Sequence, residues 1–407
     1  MQLLLLFIAM GVAGFARTAL SSLQEAMRAG LHLSDNQMAL LQGPVIGIPV
    51  VLAAIPLGFL IDRRPRNRLV LALALASLAG SLLTALAPSL LILFIARAVV
   101  GITALAIIPV VFSLLADLYP PASRGRATTF VIIGQVAGNS LAFALGGVLL
   151  ERHGLSANGW RGALLELLIP YAAMVLALLA IREPTRHGRA SIAAPTLGQV
   201  WHEVRDHRSV MVPIVMGIVL MEVNVGAMLI WGAPMLSRQF GLTADRVGSI
   251  MATGSLVSGV VGPLAGGLLA DACQRLGGPR RTVSVLGALA ALSAPLGVFA
   301  FVPDPRAASV LLIVMMTVTL AVAVMGITFF TLVIPNEVRG FCLSLLMAGD
   351  MLCSFAVAPV VVSVLSQSMG GLAMIGRSLS LVCIAANLLA AMTFVLGRRP
   401  VARAIVY

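Results

Sequence analysis

The chain has 407 residues, 60% apolar and 10% charged, against about a quarter charged in a soluble domain; the composition excludes a soluble globular protein. Its formal charge of +12 rests on 27 basic residues, all Arg. They are spread through short loops rather than gathered on one face, which argues against a nucleic-acid footprint.

A membrane span needs about 20 mostly apolar residues. The pattern predicts twelve, over 3–24, 37–61, 69–87, 89–117, 127–149, 162–181, 209–236, 246–270, 282–302, 307–334, 341–366 and 374–396. The first lacks a basic leading region and a small-residue cleavage site, so it is expected to be a retained span rather than a signal peptide. Ser34 and Gln37 have capping-box spacing and start the second span. Between spans 2 and 3 stands Gly58-Phe59-Leu60-Ile61-Asp62-Arg63-Arg64-Pro65-Arg66. It returns after span 8 as Gly267-Leu268-Leu269-Ala270-Asp271, with Arg280 and Arg281 behind it, at an offset of 209 residues. Leu33-Ser34-Asp35 and Leu242-Thr243-Ala244-Asp245 precede spans 2 and 8, and Pro120, Arg124 and Gly125 recur as Pro335, Arg339 and Gly340. The expectation is an all-α membrane protein of twelve helices in two pseudo-symmetric six-helix bundles, 1–181 and 209–407. A two-fold repeat of this kind places a binding site between its halves near mid-membrane.

The linker 182–208 is polar and basic. Leu197, Val200, Trp201 and Val204 lie at helical spacing within it, predicting an amphipathic helix that either lies on the cytoplasmic membrane face or packs on the bundle's own loops. Arg63, Arg64, Arg66, Arg68, Arg124, Arg126, Arg182, Arg186, Arg189, Arg205, Arg208, Arg275, Arg280, Arg281, Arg339, Arg398, Arg399 and Arg403 fall on the side of this linker, far outnumbering Arg28, Arg152, Arg161, Arg238, Arg246, Arg306 and Arg377 opposite. The positive-inside rule makes the richer side cytoplasmic, with both termini on it.

Gly58-x-x-x-Asp62-Arg63-x-x-Arg66 resembles the signature between spans 2 and 3 of the major facilitator superfamily, and Arg97-x-x-x-Gly101 resembles its fourth-span motif. Within that family Leu33-Ser34-Asp35-x-Gln37, Ile55-Pro56-x-Gly58, Ala116-Asp117-Leu118-Tyr119-Pro120 and Ile334-Pro335-Asn336-Glu337-Val338-Arg339-Gly340 look most like the spinster-like branch. The resemblance implies transport by alternating access, with spans 1, 7 and 11 lining the cavity. Two positions depart from the branch. Ala16-Arg17 stands where it carries Asp-Arg, and Thr103 and Ala104 stand where it carries Glu; these are its implied proton-coupling carboxylates.

Ionisable groups inside spans are costly and read as functional by default. Arg17, Glu222 and Asp350 all fall within about 6 Å of mid-membrane. Arg17 keeps its charge and is expected to bind an anionic group of the substrate. Glu222 or Asp350 would be its partner when the site is empty and would carry a proton. Burial disfavours a carboxylate's charge and a nearby guanidinium favours it. The competing reading is a static ion pair. Asn139 and Asn224 are candidate cavity hydrogen-bonders, or bridges between helices. A conformational latch is expected at Gly58, Asp62, Arg63 and Arg66, with Asp271, Arg97, Arg124 and Arg339. There Asp62 would meet the positive N-terminus of a neighbouring helix.

The five His lie in loops and the four Cys lack CxxC spacing, so no metal or cofactor is expected, and no span carries the spacing of an enzyme site. The expectation is a monomeric, multi-pass transporter of the bacterial inner membrane. Its cargo would be a small organic solute, anionic or amphipathic, with protons or another ion as coupling partner. The alternatives are a proton-coupled multidrug efflux pump or lysolipid transporter of the same fold, and a non-transporting receptor or channel.

Overall fold

The computed structural model describes residues 1–154, 158–184, 208–333 and 336–404, and every regular element among them is helical. The helices are α1 (Gln2–Thr18), α2 (Gln24–Gly30), α3 (Asp35–Gln42), α4 (Pro44–Arg63), α5 (Arg66–Leu86), α6 (Leu90–Leu118), α7 (Pro121–His153) and α8 (Gly159–Ala177). They are followed by α9 (Arg208–Phe240), α10 (Ala244–Ser293), α11 (Pro305–Val333), α12 (Asn336–Met351), α13 (Ala358–Ser368) and α14 (Ile375–Ala404). Helices dominate because lipid offers no partner to an unpaired backbone group.

Among the described residues, eleven helical stretches are long and apolar enough to cross a membrane. One of them, Ala244–Phe301, runs for 58 residues and therefore holds both the eighth and the ninth predicted spans. The sequence predicts a loop over 271–281. The helix instead continues through it and breaks at Gly278, whose φ of 62° turns the chain directly before Pro279. Positive φ costs glycine nothing, and Pro279 has no N–H to leave unpaired. The predicted amphipathic helix of the linker lies outside the described residues.

Capping follows the chain's own signals. Ser34 accepts from the Gln37 N–H at 3.2 Å while the Gln37 side chain accepts from the Ser34 N–H at 2.8 Å, completing the capping box. Pro44 and Pro121 sit in the first turns of α4 and α7, where a missing donor goes unnoticed.

Packing divides the chain into two units. One is Met1–Arg189 with Gly232–Leu256; the other is Ala190–Trp231 with Val257–Tyr407. In the first, α1 and α7 meet backbone to backbone. A Cβ added at Gly134 would collide with the Phe7 carbonyl, and one at Gly138 would meet the Gly11 backbone, with its C and Cα both at 2.8 Å. Small residues at this spacing let membrane helices approach closely. Gly147 of α7 meets Gly248 of α10 in the same way, which helps fasten the start of α10 into this unit. The second unit is built on Met221, Phe329, Phe330, Val322, Leu286 and Phe394.

Candidate functional site

In the first unit the α1–α7 seam sets the position of Arg17. A Cβ at Gly14 would collide with the Gln135 carbonyl and would lie 2.9 Å from the Asn139 side chain, so α7 passes within touching distance of α1 just before Arg17. The Asn139 amide is satisfied in one orientation. Its nitrogen then donates to the Gly14 carbonyl at 2.9 Å and its oxygen accepts from Arg17 Nη2 at 3.3 Å. Thr18 Oγ1 donates to the Gly14 carbonyl at 2.9 Å and reaches the Asn139 carbonyl at 3.4 Å. Two of the predicted residues, Arg17 and Asn139, therefore meet.

In the second unit α9 crosses the chain directly after α12. Leu352–Val357 there form a single π-helical turn, which no sequence signal announced; such turns are frequent at functional sites. Gly226 has no room for a Cβ because the Ser354 backbone fills that space. Ser354 Oγ lies 2.9 Å from the Glu222 carbonyl and 2.9 Å from Asp350 Oδ1. The Asp350 carboxylate and the main-chain carbonyl of Glu222 are thus joined through one hydroxyl that sequence reasoning missed. Asn224 is fully buried. It donates to Asn387 Oδ1 at 3.1 Å, which also accepts from Ser293 Oγ at 2.8 Å, so it bridges α9, α14 and α10. Trp231 Nε1 donates to the Pro359 carbonyl at 3.0 Å and ties α9 to α13.

The predicted latch residues are dispersed. Gly58 is exposed with open space where a Cβ would stand, and the exposed Arg63 lies 5.9 Å from the Phe59 ring. The side chains of Asp62 and Arg339 lie outside the described residues. Asp271 is exposed, and its carbonyl accepts from Arg275 Nε at 3.4 Å. Arg124 Nη2 donates to the Ala116 carbonyl at 2.8 Å and the Tyr119 carbonyl at 3.4 Å, satisfying orphan carbonyls at the end of α6. Arg97 is buried in α6. One turn on, Gly101 admits Ile46, whose Cα would lie 3.1 Å from an added Cβ; the fourth-span motif packs α6 on α4.

Arg66 is buried rather than solvated. Nε donates to Glu183 Oε1 at 3.0 Å, Nη1 donates to the carbonyl and Oγ of Ser113 at 3.0 Å each, and Nη2 makes an ion pair with Asp117 Oδ2 at 2.6 Å. The clamp gathers the start of α5, the end of α6 and the chain after α8. Arg66→Ala is expected to lower unfolding stability by about 2–3 kcal/mol, the worth of charged hydrogen bonds removed from partners that stay half-buried. Arg66→Lys recovers only part, because an ammonium has no planar fork. Thermal unfolding in detergent reads both.

A second cluster lies in the same unit. Arg238 binds Glu25 through Nε and Nη2, both at 2.7 Å, and Asp35 through Nη1 and Nη2, both at 2.8 Å. Arg28 Nε stands 3.7 Å from Glu25 and 4.0 Å from Asp35. A cavity of about 510 Å³ beside it is lined by Ser21, Ser22, Glu25, Glu151, Ser237 and Thr243 among others, and by none of the predicted site residues. Glu166 pairs locally, with His153 at 2.8 Å and Arg152 at 3.6 Å. Among the described residues no group of three His, Cys, Asp or Glu is placed to hold a metal ion.

Known proteins share parts of this sequence and its helical arrangement. The "Multidrug resistance protein B homolog" of Mycobacterium tuberculosis is 36% identical over 123 residues, 30% of this chain and 22% of that protein. The "Putative metabolite transport protein YncC" of Bacillus subtilis is 28% identical over 152 residues, 36% of this chain and 32% of that protein. The chain thus spans a third or less of the length of these curated relatives. Among solved structures, a bacterial homolog of the human lysosomal transporter Spinster superposes with a TM-score of 0.83 at 18% identity, covering 99% of this chain and 97% of its own. A D-xylose-proton symporter does so with a TM-score of 0.68 at 18% identity, covering 96% of each. These two likenesses concern the fold. Residues 6–233, more than half of the sequence and including the Arg17 seam, the Gly58–Arg66 run and the fourth-span motif, match the family model described as Major Facilitator Superfamily, and the chain is therefore a member of the Major Facilitator Superfamily.

Proposed function

We propose that this protein is a secondary transporter moving a small organic anion by alternating access. It resides in the bacterial inner membrane as a monomer with both termini in the cytoplasm. The observation that carries the reading is a permanent guanidinium, Arg17, held within a membrane helix by Asn139 and a seam of glycines. A charge at that depth is expensive and is kept where cargo or a partner needs it. Glu222 or Asp350 is the group that exchanges protons with water. Asp62 and its echo Asp271 serve as the cytoplasmic latch, with Arg63, Arg124 and Arg339.

A thermal-shift screen of the purified protein against organic anions, sugar phosphates and lysolipids identifies the cargo class. Uptake into proteoliposomes then tests the residue. Arg17→Ala is expected to lose about 10–100-fold in affinity for the anion, one to two charged hydrogen bonds, and Arg17→Lys about half that free energy. Unchanged uptake by Arg17→Ala rejects the assignment. A second reading, efflux of amphipathic drugs, draws on the 123-residue likeness to the multidrug resistance protein B homolog; stabilisation by lipophilic cations and none by anions would select it.

A further inference from the structure

The proposed function leaves Arg97 unused, and its surroundings set a problem in charge. The side chain is 2% exposed and lies in the membrane-spanning length of α6. A guanidinium does not give up its proton, and a charge buried in apolar surroundings is kept where an opposite charge meets it. Neither Nε nor Nη2 of Arg97 has a hydrogen-bond partner among the described residues. These two nitrogens share one edge of the planar group and their hydrogens point the same way, the fork that grips an anion from the side.

A second orphaned donor belongs to the same region. Ser21 Oγ donates to Gln42 Oε1 at 2.9 Å, and Gln42 Nε2 donates to Gln24 Oε1. All three side chains are buried. The chain of bonds ends on Gln24 Nε2, which has no partner. Register carries this chain to Arg97. The spans of α4, α5 and α6 follow one another through short turns, so α4 and α6 run in the same direction. Gly101 of α6 lies against Ile46 of α4. One turn back from each stand Arg97 and Gln42, and α3, which ends at Gln42, packs on α6. All of these residues belong to the first unit.

We infer that Arg97 and Gln24 hold a small inorganic anion, a halide or nitrate, inside the first unit. Closure sets the size: a side chain so deeply buried meets a single small ion and not an organic cargo. The ion supplies the acceptor that both donors lack. Each amide of the chain accepts from behind and donates ahead, so the ion also polarises the bonds that run back to Ser21. The site is separate from the guanidinium assigned to cargo, since Arg17 is held by Asn139, and it does not depend on the transport reading.

Thermal unfolding of the full chain in detergent tests this, with gluconate exchanged for chloride, bromide or nitrate. Constant ionic strength keeps the surface ion pairs equally screened. An ion that binds only the folded state raises the unfolding midpoint, so wild type is expected to gain a few degrees, saturating with anion concentration. Arg97→Gln should lose the shift. Arg97→Lys, a charge without the fork, should keep only part of it. Gln24→Glu still accepts from Gln42 but brings its own carboxylate oxygen to the place of the orphaned nitrogen, so it should be insensitive to halide. Crystals of the wild-type protein grown in bromide need no variant and should show an anomalous peak on the Nε–Nη2 edge of Arg97. No saturable shift in wild type, a shift that persists in Arg97→Gln or Gln24→Glu, or no bromide at that edge overturns the inference. So does a shift produced by acetate and not by halides, which would hand the fork to a carboxylate cargo. If the halide site behaves as expected while Arg17→Ala takes up anions normally, the cargo assignment falls and this site stands.

Discussion

Replacing Arg238 with Ala is expected to cost about 3–5 kcal/mol of unfolding stability, the penalty for removing one partner of a buried ion pair. The magnitude follows from what is left behind. Asp35 is 3% exposed and Glu25 21%, and every oxygen of both carboxylates is spent on one guanidinium. Without it the two carboxylates face each other with Arg28, at 3.7 and 4.0 Å, as the nearby cation to offset them. A control separates stranded charge from missing packing. The triple variant Arg238→Met, Glu25→Gln, Asp35→Asn removes every charge of the trio and should recover most of the stability, since replacing a whole buried ion cluster by neutral groups is often close to neutral. Thermal unfolding in detergent measures both. Equal losses for the single and triple variants would mean that Arg238 contributes packing rather than charge.

Gly138→Val should be at least as damaging. The added Cβ would sit 2.8 Å from both Cα and C of Gly11. Those are backbone atoms and cannot rotate aside. Overpacking a core typically costs about 1–3 kcal/mol because side chains yield; here a whole helix must yield, so the loss should exceed that range and take Arg17 with it. Gly58→Val is the matched control, in open space with no atom within 4 Å of the added Cβ. The expected result is a monodisperse Gly58→Val protein and a Gly138→Val protein that aggregates or elutes with reduced yield on size exclusion. Two equally well-behaved variants would show that the seam is softer than its geometry implies.

Much of this molecule can be read from the sequence, for a physical reason. In lipid each apolar stretch must be a helix, so the spans and the Ser34–Gln37 capping box follow from local pattern. Arg17, Glu222 and Asp350 stand out because charge is rare in such stretches. Long-range partnerships are another matter. Arg66 reads as a member of the expected latch, and nothing local says that Glu183 will reach it. Arg238 reads as a charge marking the outer side, and its carboxylate partners lie more than 200 residues earlier. The π turn after Asp350 and the tight turn at Gly278 that replaces a longer loop are not recorded by one-dimensional periodicity. Ser354 is ordinary as a serine in a span and becomes informative only when two acceptors flank it.

The Arg66 clamp bears on how the chain is threaded into its membrane. Synthesis runs from the N-terminus, so the second and third helices reach the insertion machinery while Arg66 is still bare. Its partner Glu183 is made 117 residues later, and Asp117 also follows. The guanidinium thus serves twice in succession, first as an unneutralised topological signal that holds its loop back from translocation, then, once the later carboxylates emerge, as a structural rivet. A permuted chain that delivered Glu183 before Arg66 would fold onto the same clamp but would have to orient its first helices without that charge.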